Sequence, residues 1–181
     1  FSSIFVSTDC DKIESLAKEE EAFVHRRADY TATDEASSVL AVQEFLQYHN
    51  DIENICLVQC TSPFLKESYL KEGFALFTNN SEWDSVFSVT RRRILRWSED
   101  LPSKPLNFDI RNRPRRQTFS GDLCENGMFY FAKRSFIDEG LLQGGRCCFV
   151  EISEEDSFDI DSPLDLFLAQ QLINCYRNEK K

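Results

Sequence analysis

The sequence predicts an α/β fold, one domain spanning residues 1–181 around a mostly parallel sheet. Three observations carry this. Short β-prone apolar runs alternate with stretches of helical spacing, the pattern of strands crossed over by helices. The run Ile55 to Val58 is almost wholly apolar, as a strand buried on both faces requires. The chain has 181 residues, 41% of them hydrophobic, enough for one core and too few for a second domain.

Taken in order, Ile4, Phe5 and Val6 form a first strand that ends at Ser7-Thr8-Asp9, whose polar side chains are placed to cap a helix carrying Ile13, Leu16 and Ala17. Phe23-Val24 begins a second strand ending at His25-Arg26-Arg27. Val39, Leu40, Val42, Phe45 and Leu46 recur at intervals of three and four, which is helical. The strand at 55–58 runs into the turn-prone Gln59-Cys60-Thr61-Ser62-Pro63, and Tyr69, Leu70, Phe74 and Leu76 mark a further helix. Val86 to Val89 and Met128 to Phe131 read as strands. Residues 91–117, with Pro102, Pro105, Pro114 and many arginines, have no sustained period and read as a long surface excursion. Leu164, Leu168, Leu172 and Tyr176 recur every four residues and predict a closing helix.

The formal net charge of −10 argues against nucleic acid as a partner, because a polyphosphate backbone needs a broad basic face. Seven cysteines without a CxxC pair or zinc spacing read as reduced thiols of an intracellular protein. No apolar run approaches the roughly 20 residues that cross a bilayer, so no membrane partner is expected. The chain opens inside what reads as a strand, which leaves room for a targeting segment upstream.

Asp159-Ile160-Asp161 puts two carboxylates on one side of an extended segment. Such a pair can hold Mg²⁺, which takes one or two carboxylates together with substrate phosphates. It can equally cap a helix starting near Ser162-Pro163. Arg111, Arg113, Arg115 and Arg116 crowd around Pro114, and Arg91, Arg92, Arg93 and Arg96 form a second group. Guanidinium groups clamp carboxylates and phosphates, so these are candidate anion sites. A solvated loop and a basic nuclear-import signal are the competing readings. Gln59, Thr61 and Ser62 stand just past a strand, where α/β folds put ligands, and are also ordinary turn residues. His25 and His49 lack partners at metal or triad spacing and read as structural or surface groups.

Nine segments, in this order, resemble the animal CMP-sialic acid synthetases: VSTD at 6–9, HRR at 25–27, TDEASS at 33–38, QCTSP at 59–63, SVFSV at 85–89, RPRRQ at 113–117, ENG at 125–127, LQGG at 142–145 and DIDSPLD at 159–165. The likeness extends over nearly the whole chain. It implies a Rossmann-like nucleotidyltransferase fold and transfer of CMP from CTP to the anomeric hydroxyl of a sialic acid. By the resemblance, Asp159 and Asp161 are the metal-holding pair for Mg²⁺ and count, with Arg116, as catalytic. Arg27, Ser38 and the backbone near Ala36 would meet cytosine. Gln59, Asn126 and Tyr130 would line the sugar pocket, with Arg116 and its neighbour Gln117 at the sugar carboxylate.

Family members begin with a glycine- and basic-rich loop of the form RGGSKGIPLKN after their first strand, and nothing like it occurs between residues 1 and 181. The expectation is therefore a domain incomplete at its amino terminus, lacking first strand and nucleotide loop, and inactive by itself. The resemblance also implies a homodimer or dimer of dimers, with LQGG in a protruding dimerisation arm. It implies a nuclear address, with cytoplasm or Golgi as alternatives. A CMP-Kdo-type enzyme and a catalytically inactive dimerisation module are the other readings.

Overall fold

The computed structural model describes residues 1–79 and 82–179. Along the chain run β1 (Phe5–Thr8), α1 (Asp11–Glu19), β2 (Phe23–Arg26), a 3-10 turn (Asp29–Thr31), α2 (Ser38–Gln47), β3 (Asn54–Val58), α3 (Glu67–Thr78), β4 (Ser85–Arg92), β5 (Asp122–Lys133), α4 (Arg134–Asp138), β6 (Cys147–Ile152) and α5 (Pro163–Glu179). The alternation predicted from spacing is present. The cap expected at α1 is not: Cys10 is its N-cap residue and makes no side-chain bond, while the Thr8 hydroxyl accepts from the Cys10 N–H at 3.0 Å. Ser37 caps α2 instead, accepting from the Leu40 N–H at 3.3 Å.

The strands form two sheets. β1 and β2 pair in parallel, and the larger sheet has the order β3-β5-β4-β6. In it β3, β4 and β6 run the same way, and β5 runs against them between β3 and β4. Strand direction is thus mostly parallel, while both ladders made by β5 are antiparallel. The cause is the connection: residues 93–121 leave β4 and return without a crossover helix, so the chain re-enters beside β4 reversed.

The expectation that residues 55–58 form the doubly buried strand is corrected. β3 is a border strand among the described residues, hydrogen-bonded only to β5, with Asn54 and Val58 exposed. The doubly covered strand is β5. Phe129 and Phe131 pack with Val86, Val150, Ile152 and Phe77 of α3, whereas Ala132 joins Val42 and Leu46 of α2 and Ile137 of α4. Helices on both faces explain why Met128 to Ala132 needs no polar alternation. β6 was not expected at all, and the helix at 163–179 arrives without its predicted packing: Leu164, Leu168 and Leu172 are exposed and Ala169 is the buried position. The side chain of Tyr176 lies outside the described residues.

Two polar contacts fix the layers. The buried His25 imidazole and Glu44 carboxylate meet at 2.6 Å, locking α2 onto β2, and the His49 ring stacks on Phe45. Both histidines have structural surroundings. The 142–145 segment lies along its own chain and does not protrude. The Ser85 hydroxyl donates to the Gly144 carbonyl at 3.0 Å and accepts from the Gly144 N–H at 3.2 Å, and Leu142 packs beside the α2 cluster.

Gly73 lets α3 approach β5. A Cβ there would stand 2.7 Å from Cε2 of Phe131 and 3.1 Å from Cε2 of Phe129, two rings with no room to retreat. Gly73→Ala should therefore destabilise by about 1–3 kcal/mol despite the better helix propensity of alanine. Urea denaturation measures this, and an unchanged or raised midpoint would mean that the helix stands farther from the sheet.

Candidate active site

The candidate residues collect beyond the carboxyl ends of β3, β4 and β6, where α/β sheets bind ligands. Arg27 follows β2, and its guanidinium reaches back across the end of β1 to donate to the Ser7 carbonyl at 2.7 Å. Its Nε and the Ser7 hydroxyl are buried without a hydrogen-bond partner. Orphaned buried polar atoms are uncommon, and here they mark a place that a polar ligand would complete. Ser38 opens α2, just after the turn closed by the Ala36 N–H on the Thr33 carbonyl. The Gln59 amide donates to the Ser38 hydroxyl at 3.0 Å, so the expected base-side and sugar-side residues touch directly.

From Gln59 the site continues along two links. Its backbone N–H donates to the Met128 carbonyl of β5 at 3.1 Å, which sets the turn beside the strand carrying Tyr130. Two residues on, the Thr61 carbonyl accepts from the Ile160 N–H at 3.0 Å and draws the Asp159–Asp161 segment onto the same turn. Asp159 is close enough to Tyr130 for its charge to act on the phenol. Burial, a hydrogen bond to Glu125 and the charges of Glu125 and Asp159 together push Tyr130 above the ordinary phenol range.

Helix capping and metal binding were both open for the aspartate pair. α5 begins with a reciprocal cap made by other residues: the Asp165 carboxylate accepts from the Ser162 N–H at 2.8 Å and the Ser162 hydroxyl at 2.6 Å, while Ser162 accepts from the Asp165 N–H. Asp159 accepts only from the neighbouring Ile160 N–H, and neither Asp159 nor Asp161 forms an ion pair among the described residues. No group of three or more His, Cys, Asp or Glu side chains converges among the described residues. Two uncommitted carboxylates of hard oxygen fit Mg²⁺, whose remaining positions go to water and phosphate.

The arginines arrive by a different route. Arg116 donates to Glu154 at 3.4 Å and Arg92 to the other oxygen of Glu154 at 3.1 Å, so the carboxylate after β6 gathers one member of each cluster near the aspartate segment. Arg91 forms a two-pronged pair with Glu151 at 2.9 and 2.8 Å. Gln117 is exposed on the loop. Asn126 is engaged at both ends of its amide, donating to the Thr90 hydroxyl at 2.9 Å and accepting from the Met128 N–H at 3.2 Å. Sequence reading did not single out Glu125 or Glu154 for a role; a carboxylate shows its significance only through partners distant in sequence.

Known proteins resemble this chain in sequence and in fold. A family described as cytidylyltransferase matches residues 1–137. N-acylneuraminate cytidylyltransferase A of Danio rerio is 43% identical over 178 residues, which is 96% of this chain and 41% of that protein. The Escherichia coli enzyme of the same name is 27% identical over 98% of this chain and 45% of its own length. This chain thus spans less than half the length of these curated relatives. Among solved structures, a CMP:2-keto-3-deoxy-manno-octonic acid synthetase complexed with CTP superposes with a TM-score of 0.68 at 11% identity, covering 97% of this chain and 82% of that one. A 4-diphosphocytidyl-2C-methyl-D-erythritol synthase from Anaerococcus prevotii gives a TM-score of 0.65 at 12% identity, covering 96% and 82%.

Proposed function

This chain belongs to the cytidylyltransferase family, and on that premise we propose that it forms the base, sugar and metal side of an N-acylneuraminate cytidylyltransferase. The reaction joins the anomeric hydroxyl oxygen of a sialic acid to the α-phosphorus of CTP. The hydroxyl proton is lost, the bond from that phosphorus to the bridging oxygen breaks, and pyrophosphate leaves. The observation that supports this reading is the bond from the Ile160 N–H to the Thr61 carbonyl, which ties the segment carrying Asp159 and Asp161 to the turn that begins at Gln59. The likeness to animal enzymes of that name favours sialic acid over other sugar acids.

In this reading Arg27 and Ser38 bind the cytosine ring, and the orphaned Arg27 Nε gains the partner it lacks. Gln59 and Tyr130 orient the sugar, and Arg116 meets its carboxylate with a planar two-pronged donor. Mg²⁺ held by Asp159 and Asp161 would neutralise phosphate charge and acidify the attacking hydroxyl. Residues 1–181 contain no glycine- and basic-rich loop to surround a triphosphate. This chain alone should then turn over at least about a hundredfold more slowly than the full-length protein, the loss expected when transition-state donors are absent.

Pyrophosphate release with CTP and either N-acetylneuraminic acid or Kdo, measured on both proteins, tests the proposal. Full-length turnover with the neuraminic acid supports it. Turnover with Kdo alone would replace the substrate, and no turnover with either would overturn the function. Equal rates for the two proteins would place the whole nucleotide site within these residues.

A further inference from the structure

β5 is interrupted beside the site. Its register with β4 jumps from Phe87 opposite Tyr130 to Val89 opposite Glu125, so residues 126–129 bulge out of the ladder. Gly127 takes φ +76 there, and the Ser88 hydroxyl and Asn126 amide satisfy the backbone that the bulge frees. The consequence is that Glu125 and Tyr130, five apart in one strand, meet: the Tyr130 hydroxyl donates to Glu125 Oε1 at 2.5 Å. The other carboxylate oxygen accepts from the Gln143 amide at 2.7 Å, joining the bulge to the 142–145 segment.

A phenol has one proton. With it committed to Glu125, the Tyr130 oxygen presents only lone pairs to a ligand. Such an oxygen is matched by a hydroxyl or an N–H and offers no proton to a carboxylate.

We propose that Glu125 is a positioning and specificity-determining residue: by holding the Tyr130 proton it makes Tyr130 an acceptor for a hydroxyl or amide N–H of a polyhydroxylated sugar acid. It thereby turns the sugar carboxylate away toward Arg116. This rests on the sugar-acid reading above. Glu125 need not touch the sugar; it acts through Tyr130.

The test is made in full-length protein with Glu125→Ala, Glu125→Gln, Tyr130→Phe and the Glu125→Ala/Tyr130→Phe double variant, each checked for an unchanged unfolding midpoint. Glu125→Ala should raise KM for the sugar acid about tenfold and leave KM for CTP within about twofold, as expected for a lost charge-assisted hydrogen bond in one substrate's pocket. Glu125→Gln, which retains one acceptor oxygen, should lie between. In the double variant the loss should match Tyr130→Phe alone, because there is no proton left to hold. An unchanged sugar KM in Glu125→Ala, or losses that multiply in the double variant, would overturn the proposal while leaving the function standing. A wild-type protein inert toward every sugar acid would overturn both.

Discussion

Asp161→Asn should abolish cytidylyl transfer in the full-length protein, to below about a thousandth of the wild-type rate, and added Mg²⁺ should not restore it. The carboxylate makes no ion pair among the described residues and caps no helix among them, since Asp165 and Ser162 perform that task. Little in the folded chain depends on its charge. Asparagine has nearly the same shape, so the unfolding midpoint should move by no more than about 0.5 kcal/mol, the usual range for a surface change. What would be lost, on the proposed reading, is half of a dianionic metal site. Removing several kcal/mol of charge stabilisation at the reacting phosphorus gives the stated factor, at about 1.4 kcal/mol per decade. Kinetics over a Mg²⁺ series and electron paramagnetic resonance of bound Mn²⁺ read the two effects separately. Full activity in Asp161→Asn with Mn²⁺ binding intact would remove the pair from the metal site.

The parts legible in the sequence were those set by local chemistry. The spacing in α2, the short apolar run of β1 and the turn at 59–63 depend on near neighbours, and each stands where its residues placed it. Long-range pairing decided the rest. The apolar run at 55–58 could not reveal that it borders the sheet, because this border strand still sends Cys56 to one core cluster and Ile55 and Leu57 to the other. β6 was overlooked although Val150 and Ile152 alternate with exposed Phe149 and Glu151, a period of two that was available to be read. Asn126-Gly127 is a pair that favours a turn, but a bulge inside a strand depends on Ser88 and Thr90 across the ladder. The aspartate pair is the instructive case. Spacing left capping and metal binding open, and the geometry of Asp165 answers the capping question.

Asp156→Ala should destabilise the protein by about 2 kcal/mol or more at pH 7 and disable the site at a distance. Asp156 is 5% exposed and lies in the turn between β6 and the aspartate pair. One of its oxygens accepts from Tyr69 at 2.7 Å, Lys66 at 2.5 Å and the Ser153 hydroxyl at 3.0 Å, tying the turn to the start of α3. Lys66 is well exposed, so its charge contributes little; the cost lies in removing the single buried acceptor that the half-buried Tyr69 hydroxyl and the Ser153 hydroxyl share. Burial alone would raise this carboxyl's pKa, but the hydrogen bonds from Lys66, Tyr69 and Ser153 outweigh it and hold the pKa below the usual range. A depressed folded-state pKa fixes the sign: the stabilisation is complete above the unfolded carboxyl value of about 3.9 and is lost as pH falls through the folded value. The gap between wild type and Asp156→Ala should accordingly be widest near neutrality and narrow below about pH 4. Asp156→Asn can present one oxygen to the same three donors but loses the charge that strengthens each bond, so its loss should lie between wild type and Asp156→Ala. The same turn delivers Asp159 and Asp161 to the Thr61 carbonyl, so a loosened anchor should also weaken Mn²⁺ binding. Thermal unfolding from pH 3 to 8, paired with Mn²⁺ titration, measures both. A midpoint that stays put at pH 7, or a gap that widens toward acid, would show that the anchor is elsewhere.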